Sequence, residues 1–321
     1  MKQVAVFKVL EPGILTTVQD RGRFGFSQAG VPPSGALDSF SLRVGNLLVG
    51  NEEGEAGIET TVMGLKLEAM KEVVIGIAGG DLSPTLNGEP LEMWRSHLLV
   101  EEDVLAFKGV RKGCRGYLAI GGGIAVPKIM GSKSTFLSGK FGGLEGRALR
   151  KGDVLYTVDH PTSLDKIGVH FPTNWIPTFE KEVTLRVVLG PQDHHFTALG
   201  FRAFQSSSYQ VTVKSDRMGI RLEGPKIERR SDMGESIISE GLIPGAIQVP
   251  GDGKPMIILN ELVTGGYTKI ATIVSIDLPK VAQLKPGDRV RFDPISVEEA
   301  HRLLREQEAR LQSFKESLQH W

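Results

Sequence analysis

Residues 284–292 read LKPGDRVRF, and the same pattern occurs twice more in this chain. Residues 99–107 read LVEEDVLAF, and residues 149–156 read LRKGDVLY. In each copy a polar turn that ends in Asp precedes alternating apolar residues, which is typical of a hairpin turn that leads into a β-strand. The pattern therefore predicts a strand directly after each of the three Asp residues.

Two longer correspondences accompany this repeated turn. Residues 18–25 (VQDRGRFG) match residues 213–219 (VKSDRMG), and residues 58–77 match residues 238–259, where a Glu precedes a Gly and two short strands. The matches keep the same order and a similar spacing, which predicts two related β units. Chance similarity between Gly- and Asp-containing turns is the alternative interpretation.

Short apolar segments between turns indicate a mainly β fold. Glycine is abundant, at 39 of 321 residues, and the segments between the glycines are rich in β-branched residues. Helical periodicity is confined to residues 39–48 and to the stretch from Ser296 onward. The strands are predicted at residues 73–78, 117–120, 183–189, 210–214, 256–259 and 270–276. We predict an N-terminal β unit with a Gly-rich insertion (1–180), a C-terminal β unit (181–295) and an amphipathic C-terminal helix (296–321).

The composition excludes several classes of function. The chain has 38 Lys and Arg against 38 Asp and Glu, so it lacks the basic field that binds nucleic acid. Its hydrophobic runs are shorter than the roughly 20 residues that cross a bilayer, and residues 1–12 do not resemble a signal peptide. The single cysteine, Cys114, excludes an internal disulfide and a cysteine-built metal site. We therefore expect a cytoplasmic protein without a membrane or nucleic-acid partner.

Three motifs resemble known sites but lack a required part. Residues 131–135 (GSKST) lack the Gly-Lys junction of a phosphate-binding loop. His194 and His195 are adjacent, so on an extended segment they point to opposite faces, and we predict no metal site. Lys71 follows Ala-Met, as in biotin carriers, but Glu72 comes next where a carrier usually has an apolar residue. We predict a plain hairpin turn there, without covalent biotin.

Four blocks dense in Gly, Pro and charge are not required by a fold alone. Glycine lets backbone amides approach a ligand and arginine offers a planar fork of donors, so these loops suit an anionic or planar ligand. The alternative interpretation is equally favoured: Asp20–Arg21 and Asp216–Arg217 are ion pairs in turns, and they stabilise the two β units. The blocks lie at residues 16–38, 139–149, 215–225 and 239–250 with 264–270.

These blocks resemble the biotin-dependent carboxyltransferase family, which includes allophanate hydrolase subunit 2 and the stand-alone C-subunit of 5-oxoprolinase. The similarity extends from about Val9 to Phe292, with GILTTVQDRGR at 13–23, GVPPSGA at 30–36 and SDRMG at 215–219. It implies cyclophilin-like β-barrels and a partner called the B-subunit. For the stand-alone type it further implies an A-subunit and ATP-dependent opening of 5-oxo-L-proline to L-glutamate. The chain departs from the family at Asn260 and Thr268, where Asp and Pro are usual.

The resemblance predicts a hydrolase component, a cyclic amidase that is active only with its 5-oxoprolinase partners, with ATP and Mg²⁺ at the level of the complex. Two alternatives stay open: the carboxyltransferase component of a biotin-dependent urea or allophanate-type carboxylase, and a regulatory binding protein. A homo-oligomer is a further open alternative. Opening a lactam requires charge stabilisation at the reacting oxygen and an acid or base near the ring nitrogen. The candidate catalytic residues are Asp20, Arg21, Asp216, Arg217 and Glu240. The candidate substrate- or cofactor-binding residues are Pro33, Ser34, Gly35, Arg221, Gln248, Gly265, Gly266, Tyr267 and Lys269.

Arg21 and Arg217 are predicted to lie on a functional surface. Substitution of either by alanine would then remove most activity of the complex while changing the free energy of unfolding by about 1 kcal/mol or less.

The C-terminal segment is predicted to form a helix with one apolar seam. Ser296 and Glu299 form a capping box, and Leu304, Leu311 and Leu318 recur at seven-residue spacing. The helix is expected either to lie across the last barrel or to contact a second copy or the B-subunit.

Overall fold

The computed structural model describes residues 3–158, 164–234 and 236–320. Its contacts divide the chain into two compact units. Unit 1 comprises Met1–Arg23, Ser34–Thr178 and Leu311–Trp321, and unit 2 comprises Phe24–Pro33 and Phe179–Arg310. The domain bounds drawn from the sequence remain a prediction.

Unit 1 is built from two antiparallel β-sheets. Its strands are β1 (Gln3–Pro12), β2 (Leu15–Gln19), β3 (Gly57–Thr61), β4 (Leu65–Ala69), β5 (Val73–Asp81), β6 (Pro84–Leu86), β7 (Glu89–Pro90), β8 (Arg95–Leu99), β9 (Val104–Phe107), β10 (Lys112–Ile120) and β11 (Val154–Val158). One sheet has the order β11-β1-β4-β9-β6-β7 and the other the order β2-β3-β10-β5-β8. Short 3-10 turns lie at Leu164–Lys166 and Thr173–Trp175.

The apolar core of unit 1 follows the alternation of its strands. In β4, Leu65, Leu67 and Ala69 are buried, whereas Lys66 and Glu68 are partly exposed. Strand β5 is instead buried along almost its whole length, because helix α1 (Ser39–Leu48) packs against it. A Cβ atom at Gly76 of β5 would lie 2.5 Å from the carbonyl oxygen of Gly45 in α1. Glycine at this position therefore permits the close approach of the helix to the sheet.

Helix α1 confirms the helix predicted at residues 39–48. Asp38 caps it, since its Oδ1 atom accepts a hydrogen bond of 2.9 Å from the backbone N–H of Ser41. Val49 and Gly50 close its last turn through bonds to Asn46 and Leu47.

Unit 2 contains a closed barrel of seven strands. Its strands are β12 (Glu182–Leu189), β13 (Tyr209–Val211), β14 (Gly219–Glu223), β16 (Ala246–Val249), β17 (Met256–Ile258), β19 (Thr268–Ile273) and β20 (Arg289–Pro294). Strands β12 and β20 run parallel, from the pair Glu182 and Arg289 to the pair Val187 and Pro294, and this pairing closes the barrel. Outside the barrel, strands β15 (Glu240–Gly241) and β18 (Thr264–Gly265) pair with each other. The unit also contains helices α2 (Ala198–Ser206) and α3 (Leu278–Ala282). Its 3-10 turns lie at Ser27–Ala29, Asp193–His195 and Ser275–Asp277.

The repeated Asp turn has one local structure in all three copies. The side chains of Asp103, Asp153 and Asp288 each accept a hydrogen bond from the N–H three residues earlier, at 2.7, 2.7 and 3.0 Å. The residue before each Asp has a positive φ, of 72° at Glu102, 89° at Gly152 and 94° at Gly287. Strands β9, β11 and β20 begin directly after the three Asp residues, which confirms the predicted strand starts.

These turns are not hairpins, and that part of the prediction is wrong. Strands β8 and β9 flank the first turn but belong to different sheets. The second turn follows a loop and the third follows helix α3. Each turn exchanges backbone hydrogen bonds with another strand, at Ala69 of β4, Val9 of β1 and Val211 of β13 respectively. The same error affects Lys71, because β4 and β5 on either side of it also lie in different sheets. A short-range pattern identifies a turn, whereas strand pairing depends on distant residues.

The mainly β fold class is confirmed. Unit 2 supplies a closed barrel, and unit 1 forms two sheets of six and five strands in the part of the chain that the structure describes. The strand expected at residues 270–276 ends earlier, at Ile273, because Ser275–Asp277 turns the chain into α3, which has Pro279 in its first turn.

Helix α4 (Val297–Ser317) confirms the predicted C-terminal helix, and Leu318–His320 continues it as a 3-10 turn. The Glu299 N–H donates to Ser296 Oγ over 3.2 Å. From Leu311 onward the segment belongs to unit 1, where the Phe314 ring meets that of Phe171 at 4.9 Å between centroids. The expectation that the helix lies across the last barrel is therefore wrong for its final turns, because Phe314 joins an aromatic cluster of unit 1. Among the described helices, none has both the length and the hydrophobicity needed to cross a bilayer.

Asp277 provides a test of electrostatics in the barrel unit. Burial alone would raise its pKa, but hydrogen bonds from the Arg186 side chain and backbone, and from Lys280, hold the pKa below its ordinary value of 3.8. We expect Asp277→Asn to lower the free energy of unfolding by about 2 kcal/mol at pH 7, since the buried carboxylate loses its charged hydrogen bonds to Arg186 and Lys280, which are themselves 26% and 31% exposed. A depressed pKa stabilises the fold above pH 3.8 and ceases to do so as the pH falls through the folded value. In urea titrations the difference in free energy of unfolding between wild type and variant should therefore shrink below pH 3.8.

Asp232→Asn, in an exposed pair with Arg230, is the control. A difference that is independent of pH would contradict the prediction.

Candidate functional site

Asp20 of unit 1 lies at the centre of a buried hydrogen-bond network. Its carboxylate accepts bonds from Ser132 Oγ (2.7 Å), the Lys133 N–H (2.6 Å), Ser134 Oγ (2.5 Å) and the Gly22 N–H (2.8 Å). Four donors around one carboxylate fix the loop at residues 131–135 against the segment that follows β2. Asp216 of unit 2 makes the related local turn, since its Oδ1 atom accepts from the Met218 N–H at 2.8 Å.

Two of the Gly-rich blocks meet around Arg23. Arg23 is 2% exposed, and its guanidinium donates to the carbonyl oxygen of Ser134 at 2.5 Å and lies 4.9 Å from the centre of the Phe141 ring. A Cβ atom at Gly142 would stand 2.0 Å from the same Ser134 oxygen. Arg23 was not among the site residues predicted from sequence. The glycines of both blocks were interpreted there as allowing backbone amides to approach a ligand, whereas the structure shows that Gly142 lies close to the backbone at Ser134.

The segment after Arg23 contains three candidate binding residues. Pro33 is half-buried and belongs to the short stretch grouped with unit 2. Ser34 is fully buried, and Gly35 has a φ of 84°. A Cβ atom at Gly35 would lie 2.8 Å from the Gly22 nitrogen, so only glycine fits there. Arg21 is exposed and, in the described ranges, its aliphatic stem runs beside Gly54.

A second buried network in unit 1 was not predicted from sequence. Tyr117 of β10 is fully buried, and its hydroxyl donates to Glu59 Oε2 at 2.7 Å. Burial, followed by the charges of Glu59 and Asp38, raises the pKa of Tyr117 well above its ordinary value. Arg115 approaches the other Glu59 oxygen at 3.9 Å. Apolar neighbours of Tyr117 in the sequence gave no signal for it, whereas Glu59 stood out only within the repeat.

Arg217 of unit 2 is buried, which contradicts its predicted exposure. Its Nε atom lies 2.6 Å from Glu261 Oε1, and the two side chains are 4% and 3% exposed. The physical reason is long-range: Glu261 is distant in sequence, and its negative charge offsets the cost of burying the guanidinium. Arg221 is exposed in the middle of β14 and lines a hollow of about 180 Å³ with Thr212 and Pro250.

Glu240 and Lys269 form an ion pair in unit 2. The Lys269 side chain is 6% exposed and its Nζ atom contacts Glu240 Oε1, while Glu240 remains 43% exposed. Hydrogen bonding from Lys269, and then from Gln192, lowers the pKa of Glu240 despite the opposing effect of burial. Gln192 connects both residues: its Nε2 donates to Glu240 at 2.6 Å and its Oε1 accepts from the Lys269 N–H at 3.0 Å. Gln192 was not predicted as a site residue, and its place in a Gly-Pro-Gln segment was the only signal for it.

The other candidates of unit 2 surround this pair. Gln248 is opposite Lys269 in the pairing of β16 with β19, at a bulge, and its Nε2 donates to the Tyr267 carbonyl at 3.3 Å. A Cβ atom at Gly265 would lie 2.5 Å from Gln248 Nε2, and one at Gly266 would lie 3.1 Å from a backbone oxygen. The structure thus brings together Glu240, Gln248, Gly265, Gly266, Tyr267 and Lys269. The arrangement places the Lys269 ammonium, the Glu240 carboxylate and the Gln248 amide beside Gly265 and Gly266.

The structure explains two of the motifs that resemble known sites but lack a required part, the GSKST segment and the His194–His195 pair. Lys133 of the GSKST segment pairs with Glu55 at 2.5 Å, so its ammonium is engaged within the chain. The rings of His194 and His195 lie 4.6 Å apart in a 3-10 turn, so the expectation that they point to opposite faces is wrong. In the described ranges no three His, Cys, Asp or Glu side chains are grouped to hold a metal ion.

The mainly β architecture, with one closed barrel and Gly-rich charged loops, defines a protein of the carboxyltransferase type. The family description "carboxyltransferase domain, subdomain A and B" matches residues 29–294, and the chain belongs to this family.

The chain is similar to bacterial relatives over almost their whole length. It is 36% identical over 310 residues to the 5-oxoprolinase C-subunit of Escherichia coli K12, covering 94% of this chain and 96% of that protein. For the 5-oxoprolinase C-subunit of Haemophilus influenzae the identity is 30% over 308 residues, covering 96% and 97%.

Larger fungal enzymes contain a similar region. The urea amidolyase of Lachancea kluyveri is 38% identical over 333 residues, which cover 97% of this chain but 18% of that protein. The crystal structure of Kluyveromyces lactis urea amidolyase superposes with a TM-score of 0.91 at 36% identity, covering 98% of this chain and 20% of that chain. The chain thus spans about a fifth of these urea amidolyases.

Proposed function

We propose that this chain is one component of an ATP-dependent complex that opens 5-oxo-L-proline to L-glutamate. The observation that supports this most is the similarity to two bacterial 5-oxoprolinase C-subunits, which covers 96% and 97% of their lengths. The complex would include a B-subunit and an A-subunit and would act in the cytoplasm. This chain would not act alone.

Opening a lactam breaks a resonance-stabilised amide. In the proposed reaction the amide oxygen would take the terminal phosphoryl group of ATP, with release of ADP. Water would then add to the activated carbon, and the carbon–nitrogen bond would break as the ring nitrogen takes up a proton. A second water would hydrolyse the resulting acyl phosphate to the carboxylate and inorganic phosphate. In our proposal the buried Lys269 ammonium stabilises negative charge that develops on the substrate oxygens. Glu240 and Gln192 fix the position of that ammonium, and the partly exposed Glu240 carboxylate is the candidate for holding a proton near the ring nitrogen.

No residue of this chain is assigned to the nucleotide. The one segment that resembles a phosphate loop has its lysine paired with Glu55 and its serines bonded to Asp20. These donors are therefore committed within the fold, and we place ATP and Mg²⁺ at the level of the complex.

Carboxyl transfer to a urea-like or amide acceptor is the second candidate function. It is favoured by the TM-score of 0.91 to urea amidolyase, a relative in which this region is one part of a longer chain. Biotin would then arrive on a separate carrier, because Lys71 lies in a short connection between two sheets.

Omission of single components tests the proposed function. We expect the purified chain alone to release no glutamate from 5-oxoproline and ATP, because the bacterial relatives that match it over almost their whole length are named as one subunit of the enzyme. The A- and B-subunits without this chain should be equally inactive, and mixing all three should restore turnover. The measurement is glutamate release, with heat-treated chain as the control. Robust turnover by the isolated chain, or by the partners without it, would show that the proposal is wrong.

A further inference from the structure

The hollow at Arg221 lies on the outer wall of the barrel unit. Its volume of about 180 Å³ is well above the roughly 15 Å³ that one water molecule requires. Arg221 points outward, because the residues before and after it in β14 are buried. Lys214 and Asp252, which also line the hollow, are exposed as well. A small molecule can therefore enter it from solvent.

Hydrogen bonds fix the backbone of the two basic residues of this hollow. The Arg221 N–H donates to Ser215 Oγ at 3.0 Å, and the Arg221 carbonyl accepts from the Thr212 N–H at 3.0 Å. The Lys214 N–H donates to Thr212 Oγ1 at 3.3 Å. These bonds hold residues 212–215 beside β14, so Arg221 and Lys214 stand on neighbouring backbone segments.

The charged groups of the hollow leave one positive charge in excess. Lys254 and Glu223 pair with each other at 2.5 Å, so their charges cancel. Of the remaining groups, Arg221 and Lys214 are cationic, whereas Asp252 is anionic and accepts from a backbone N–H of its own turn at 3.0 Å. Within the described ranges, neither the Arg221 guanidinium nor the Lys214 ammonium has a hydrogen bond or an ion pair. Both are therefore available to an anion from solution.

Apolar side chains form the floor of the hollow. Leu222 and Pro255 are buried, and Pro250 and Met256 are half-buried. Such a floor suits a short hydrocarbon body. The planar fork of an arginine matches the two oxygens of a carboxylate. One carboxylate also balances the single excess charge, whereas a phosphate dianion would exceed it.

The hollow is separate from the Glu240–Lys269 pair. Arg221 is opposite Met256 in the pairing of β14 with β17. Met256 is opposite Gln248, and Gln248 is opposite Lys269, in the next two strand pairs. Arg221 and Lys269 therefore lie in one row of the barrel, three strand spacings or roughly 14 Å apart along its wall. Neither Glu240 nor Lys269 lines the hollow.

We propose that this hollow is a binding site for a small organic monocarboxylate. Arg221 and Lys214 bind the carboxylate, and Leu222 and Met256 contact the hydrocarbon body. Arg221, which the sequence predicted to bind substrate or cofactor, thus serves a second site, away from Lys269. The inference does not rest on the proposed 5-oxoprolinase function, and its test requires no turnover.

Titration of the full-length chain with isobutyrate, a monocarboxylate with a short branched body, tests the site. Methyl NMR spectra of chain labelled with ¹³C at the methionine methyl groups report binding through Met256, whose signal is assigned with Met256→Leu. We expect this signal to shift and to saturate with a Kd of about 1–10 mM, as for a ligand of few atoms. Arg221→Gln should raise the Kd about tenfold or more, because a charge-assisted hydrogen bond is lost.

Arg291→Gln is the matched control, since Arg291 is another exposed arginine in the middle of a barrel strand, β20. It should leave the Kd unchanged, whereas Lys214→Gln should raise it. A Met256 signal that does not respond to isobutyrate, or an equal Kd in wild type and Arg221→Gln, would overturn the proposal. Inorganic phosphate that binds more tightly than isobutyrate would overturn the choice of a carboxylate. Acetate that binds as tightly as isobutyrate would overturn the apolar contact.

Discussion

Replacement of Arg217 by alanine is expected to lower the free energy of unfolding by about 3–5 kcal/mol, because it leaves the Glu261 carboxylate buried without its counter-charge. The two side chains are 4% and 3% exposed and 2.6 Å apart. This reverses the expectation drawn from sequence, which treated Arg217 as a surface charge. Urea unfolding of the full-length chain, followed by circular dichroism, measures the effect.

Two variants make this result specific to the buried pair. Arg230→Ala removes an arginine from an exposed pair with Asp232 and should leave the unfolding midpoint unchanged. The double substitution Arg217→Met with Glu261→Leu should recover most of the lost stability, since apolar residues of similar volume can replace a buried ion pair. An Arg217→Ala variant as stable as Arg230→Ala would contradict the structural account.

Replacement of Lys269 by glutamine is expected to reduce turnover of the complex by about 100-fold or more, as observed when one group that stabilises transition-state charge is removed. Glutamine retains much of the side-chain length but not the charge. Because the Glu240 partner is 43% exposed, water can solvate it after the substitution, and we expect little change in stability. The measurement is kcat of the three-component complex, with the unfolding midpoint of the same preparation.

A second lysine of the barrel unit provides the comparison. Lys254 pairs with Glu223 at 2.5 Å and is 34% exposed, so Lys254→Gln removes a lysine from a more exposed ion pair that does not involve Glu240 or Lys269. It should retain wild-type turnover. Equal losses in both variants would mean that general electrostatics, and not the position of Lys269, determines the rate.

Local chemistry explains which parts of the fold were predictable. The repeated turn was readable because its Asp side chain bonds a backbone N–H only three residues away. Helix α1 was readable because Asp38 caps an amphipathic segment. The sheet to which each strand belongs was not predictable from sequence. The same turn can join two paired strands in a hairpin, or it can lead from one sheet to another, as it does between β8 and β9.

The candidate site was predictable only in part for the same reason. Glycine-rich, charged blocks indicated where loops meet, and Glu240, Gln248, Gly265 and Lys269 do lie together. The environment of Arg217 depends on burial and on a partner that is distant in sequence, Glu261. Composition and spacing alone do not reveal whether an Asp-Arg pair is exposed.

The most direct test of the proposed function is a product analysis of the reconstituted three-component complex. The reaction would contain 5-oxoproline, ATP, Mg²⁺ and ¹⁴C-labelled bicarbonate, and both glutamate and acid-stable radioactivity would be measured. We predict glutamate release that requires ATP and is insensitive to avidin, with no radioactivity in the product. Avidin-sensitive incorporation of bicarbonate carbon without glutamate release would contradict the account and establish carboxyl transfer.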